Sequence, residues 1–143
     1  MLACTFFGHH DCPDTLMPQL EAAITLCIRD GVSLFYVGNH GHFDALVLSA
    51  LQRMQRIFPE IQYYIVLAYL PTGATSSDVH SLFPEGIENA PRRFAISWRN
   101  RWMLARSDYV ISYVAHSWGN ASQLLALARR QGKTVLNLFD AMK

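Results

Sequence analysis

A chain of 143 residues, 51% hydrophobic and 16% charged, is long enough to bury one core and too apolar to be a disordered tail. A formal net charge of +1 leaves no general basic surface, which argues against nucleic acid as a partner, and no apolar run is long enough to span a bilayer. Three cysteines without framework spacing, and a start at Met1-Leu2-Ala3-Cys4 with no basic-then-apolar leader, make the cytoplasm the expected address.

Ala3–Phe7 is a short apolar run that reads as a strand. Leu20, Ile24, Cys27 and Ile28 then share one face of a helix, closed by Gly31. A second strand, Val32–Val37, precedes a helix with the apolar stripe Phe43, Leu46, Val47, Ala50, Leu51, Met54 and Phe58. Tyr63–Leu70 reads as the third strand. A stretch at about 71–91, rich in Gly, Ser, Thr and Pro, is too long for a plain connection and reads as a lid or binding loop. Phe94–Arg106 is helical, Tyr109–Ala115 a strand, Ala121–Gln131 a helix capped by Gly132, and Thr134–Phe139 the last strand. Continuously apolar strands alternating with helices predict one α/β domain over 1–143. The expected fold is a Rossmann-like three-layer sandwich with a five-stranded, mainly parallel sheet in the order 3-2-1-4-5.

Such sheets bind ligands beyond the carboxyl ends of their strands. The loops leaving strands one, two and four read Gly8-His9-His10-Asp11, Gly38-Asn39-His40-Gly41 and His116-Ser117-Trp118-Gly119-Asn120. In the expected order they form one rim, and all six histidines fall in or beside these loops or in the long one. Gly8 and Gly38 either turn the chain sharply after a strand or let a phosphate approach the backbone at a helix start, and Gly41 and Gly119 are candidate ligand contacts. Asn120 reads as an N-cap with Gln123 three residues on, or as a ligand contact. Asp44 reads as a helix-dipole partner or a ribose holder, and with Asp11 it disfavours a triphosphate. Arg92 and Arg93 oppose the dipole of the following helix, so an anion is expected beside them, either a ligand phosphate or Glu85 or Glu88. Trp98 and Trp102, four apart, read as packing residues or as a stacking surface. There is no Walker A sequence, no G-x-G-x-x-G and no G-x-S-x-G. His9, His10 and Cys12 have no standard zinc spacing, so no metal and no cofactor is expected.

The motifs Gly8-His9, Tyr36-Val37-Gly38-Asn39, Phe83-Pro84-Glu85-Gly86, Trp98-Arg99-Asn100 and Ser117-Trp118-Gly119 resemble the SLOG superfamily, which joins DprA-like and LOG-like Rossmannoid proteins. Within it the chain looks like a small, single-domain bacterial branch. The resemblance covers nearly the whole chain. It implies a nucleotide or nucleotide-derived ligand, such as an ADP-ribose-type molecule, over the loops after strands one and four. It also implies self-association, which the apolar helices would serve. The LOG loop Gly-Gly-x-Gly-Thr with its glutamate is replaced here by Gly119-Asn120-Ala121-Ser122-Gln123-Leu124, with one glycine and no carboxylate, and the branch's Gly-His-Arg reads Gly8-His9-His10. The leading expectation is therefore a module that senses or carries such a ligand through Gly8, His9, His10, Gly38, Asn39, Gly41, Asp44, Arg92, Arg93, Ser117, Trp118, Gly119 and Asn120. A nucleotide-processing hydrolase is the alternative, with Glu85 as its carboxylate and His9 or His10 as acid/base. A DprA-like accessory protein is the third, favoured if Arg92, Arg99 and Arg106 form a basic face.

Overall fold

A computed structural model describes residues 1–69 and 80–141. In chain order the elements are β1 (Leu2–Gly8), α1 (Met17–Arg29), β2 (Val32–Val37), α2 (His42–Ile57), β3 (Gln62–Val66), β4 (Ser81–Leu82), α3 (Ala95–Ala105), β5 (Tyr109–Tyr113), α4 (Asn120–Arg130), β6 (Thr134–Asn137) and the short α5 (Leu138–Ala141). All strand pairs are parallel, in the order β4-β3-β2-β1-β5-β6.

The sheet thus has six strands where the sequence predicts five. The extra one, Ser81–Leu82, pairs with Ile65 and Val66 at the sheet edge, inside the stretch expected to be a loop. Two residues are too few for any periodicity to register. The same stretch also holds 3-10 turns at Ile87–Asn89 and Arg92–Phe94, while its residues 70–79 lie outside the described ones.

Strand character follows from burial on both faces. Phe6 and Cys4 of β1 pack with α1 and α2, whereas Phe7 packs with α3 and α4 on the other side. The α2 stripe is consumed internally: Phe43, Val47, Ala50, Leu51 and Met54 are all buried. Trp102 packs edge-on against Tyr36, and Trp98 joins a small cluster with Ile87 and Ala95. Ile57 at the end of α2 and Phe94 just before α3 stay exposed. No helix among the described residues is long and apolar enough to cross a membrane.

The chain leaves β1 towards β2, β3 and β4 on one side, while β5 and β6 lie on the other. The switch point therefore falls between β1 and β5, where the loops after both strands diverge and open a crevice.

Candidate ligand pocket

That crevice is a pocket of about 490 Å³, lined by the loop after β1, the starts of α2 and α4, and one face of α3. Of the residues singled out in the sequence, Gly8, His9, His10, Asp44, Gly119 and Asn120 line it. Asp11, His40, His116, Arg99 and Asn100 join them.

Both helices that point into the pocket begin on a glycine in the same backbone state. Gly41 has φ 97° and ψ 174°, and Gly119 has φ 98° and ψ 171°. This region is essentially restricted to glycine. Neither helix carries a side-chain cap, so the first-turn amides remain available to a ligand. Asn120 is thus the first helical residue, not the cap expected of it, and Ser122 Oγ instead donates back to the Gly119 carbonyl at 2.8 Å.

The other glycines make room for side chains. A Cβ on Gly8 would overlap the Phe43 ring, and one on Gly41 would overlap His10. On Gly38 it would lie 2.8 Å from Asp44 Oδ2 and 2.9 Å from Arg99 Cζ. Among the described residues, chain neighbours aside, nothing lies within 4 Å of the position a Cβ would take on Gly119, so that approach is open.

Arg99 sits at the centre. It is only 1% exposed. Its Nη1 donates to the Val66 carbonyl and to Asn39 Oδ1, each at 3.0 Å, and Nε donates to Asn100 Oδ1 at 3.0 Å. Among the described residues Nη2 has no hydrogen-bond partner, and no carboxylate lies at ion-pairing distance. Burial pulls its pKa down and nearby Asp44 pulls it up, but a guanidinium stays charged. Asp44 accepts the His40 amide at 3.0 Å. Burial pushes its carboxyl above the ordinary 3.8, against the pull of the His40 amide and Arg99.

His9 is buried, and its Nε2 has no partner among the described residues. Burial lowers its pKa from 6.5, His116 adds to that, and Asp11 opposes it. Its ring stacks on His116 at 3.6 Å, and His116 stacks on Trp118 at 3.8 Å. His10 meets His40 edge-on at 5.1 Å. Burial raises the Cys12 thiol, which keeps it a neutral core group.

The remaining expected residues stand apart. Arg92 lies over the Tyr69 ring at 5.1 Å and Arg93 over Phe94 at 4.9 Å. Among the described residues neither pairs with Glu85 or Glu88, and each guanidinium lies on an aromatic face. Glu85 is exposed and does not line the pocket. Asn39 acts on it through Arg99, and Ser117 lines a shallower depression behind the β5 loop. Arg92, Arg99 and Arg106 form no basic face, because Arg99 is buried and Arg106 covers Trp102 at 4.0 Å. No cluster of three or more metal-ligating side chains occurs among the described residues.

Two solved structures share this fold. DNA processing protein A (DprA) from Streptococcus pneumoniae superposes with a TM-score of 0.66 over 94% of this chain and 49% of its own, at 15% identity. DNA processing protein A from Helicobacter pylori, described for its single-stranded DNA binding mode, gives 0.63 over 94% and 63%, at 14% identity. The chain therefore spans about half of the first protein and less than two thirds of the second. No protein-family model matches the chain, and no curated protein does. The Rossmann-like fold expected from the sequence stands on this likeness.

The sequence named Arg99 only as part of a basic face, and gave Asn100 and His116 no ligand contact of their own. A lone arginine in mid-helix reads as solvent-facing. Its one distinguishing mark is membership of Trp98-Arg99-Asn100, a motif that carries the SLOG resemblance.

Proposed function

We propose that the pocket binds a nucleotide or nucleotide-derived ligand, an ADP-ribose-type molecule included, through a phosphate held between Arg99 and the first turn of α4. The observation that carries this is the buried Arg99 guanidinium, whose Nη2 has no partner among the described residues and whose near carboxylate, Asp44, stays outside ion-pairing distance. A buried cation is costly unless an anion meets it. The uncapped α4 start supplies amides and a positive dipole end on the same pocket, with no acid in its first turn.

Calorimetry of the purified chain with AMP and ADP-ribose tests the reading. Arg99→Gln is expected to weaken binding about tenfold or more, the scale of a lost charge-assisted hydrogen bond. Inorganic phosphate is expected to compete. A ligand that binds Arg99→Gln as tightly as the parent, with both proteins folded by circular dichroism, would refute the phosphate contact.

Single-stranded DNA is a second reading, favoured by the fold shared with Helicobacter pylori DprA. Against it stands the dispersal of Arg92, Arg99 and Arg106. For hydrolysis, the carboxylates within the pocket are Asp11 and Asp44. The role proposed for Glu85 is tested by Glu85→Gln, which on that reading loses turnover and keeps binding.

A further inference from the structure

We propose that Trp118 is a stacking platform for the purine or pyrimidine ring of the ligand; this rests on the phosphate reading above. His9, His116 and Trp118 form three near-parallel rings, 3.6 Å and 3.8 Å apart, with interplanar angles of 11° and 18°. The inner ring is buried, and the outer one, Trp118, is 68% exposed. The middle ring is pinned: His116 Nδ1 donates to the Trp118 carbonyl at 3.0 Å, since a carbonyl only accepts. An indole in open solvent ordinarily samples several rotamers. Here one face lies flat on His116 while the other meets no ring among the described residues.

Trp118 belongs to none of the apolar clusters of the core, so packing does not account for it. Its place in the chain does point to a ligand. It immediately precedes Gly119, the open helix start that faces the pocket. Phosphate site and flat aromatic surface are thus consecutive residues of one loop, as a nucleotide's phosphate and base are consecutive parts of one molecule. Base–aromatic stacking tolerates any base, because every base has a π-face.

The experiment compares ribose 5-phosphate, AMP and a short oligodeoxyadenylate by calorimetry on the parent chain, Trp118→Ala and Trp118→Phe. The parent is expected to bind AMP about tenfold or more tighter than ribose 5-phosphate, the scale of one stacked base. Trp118→Ala is expected to bring that ratio close to one, and Trp118→Phe to restore most of it. If the ratio is close to one in the parent, but the oligonucleotide binds tightly and loses affinity in Trp118→Ala, the platform stands and its ring comes from a strand. If Trp118→Ala leaves every preference unchanged while ribose 5-phosphate still binds, the platform is refuted and the phosphate site survives. If none of the probes binds the parent chain, both proposals fall.

Discussion

His9 shows how a single side chain records its surroundings. Its ring is buried beside His116, and its pKa is depressed from 6.5 chiefly by that burial. Between 6.5 and the lower folded value, the unfolded chain binds more protons than the folded one. Stability on this account falls as pH drops through that window and levels off below it. His9→Phe, which keeps a flat ring and removes the orphaned Nε2, is expected to flatten the decline in urea-unfolding free energy from about pH 7 to about pH 5. An unchanged slope would assign the proton to another group. Gly119 is the second informative residue. Its φ of 98° is strained for any other side chain, although none of the described residues crowds it. Gly119→Ala is expected to cost about 1–3 kcal/mol of unfolding free energy through the backbone alone. A bulky side chain there is expected to abolish ligand binding by filling the open approach.

At the scale of elements, the end of β1 meets the start of α2 at one point, Gly8 against the Phe43 ring. The sequence offered a turn or a phosphate approach as the reason for that glycine; the structure adds helix-to-strand packing to them. Gly8→Ala is expected to destabilise the chain by about 1–3 kcal/mol, the cost of overpacking. Gly8→Ala with Phe43→Leu is expected to lose less than the two single changes summed, as read by chemical denaturation. Long elements were legible because their periods repeat. The α2 stripe runs over four turns, and the β1 and β5 runs are apolar on both faces. β4 was not legible, since two residues carry no period. The start of α4 was off by one residue because Asn120 has the chemistry of a cap while Gly119 has the backbone for it.

For the whole molecule, alternation of strand and helix was enough to put three loops on one edge, and with them His9, His10, Asp44 and Gly119 in one pocket. What alternation does not reveal is which distant groups share that pocket. Arg99 reaches Val66, 33 positions away, and Asn39, 60 positions away, contacts that only the parallel order of β1, β2 and β3 creates. On the proposed reading, AMP is expected to raise the melting temperature progressively with its concentration, and Arg99→Gln to suppress the shift.

The two matched helix starts give this pocket a direction. Gly41 and Gly119 set α2 and α4 off identically, yet α2 has Asp44 in its first turn and α4 has no acid there. On the proposed reading the pair gives the pocket an anion-accepting end at the start of α4 and an acid-bearing end at the start of α2, where Asp44 lies near Arg99. A ligand charged at one end and hydroxylated at the other has a single favourable orientation, whereas a chain of phosphates long enough to reach both ends meets repulsion at the second. ATP is therefore expected to bind more weakly than AMP despite its greater charge, and Asp44→Asn to narrow the gap in a calorimetric competition.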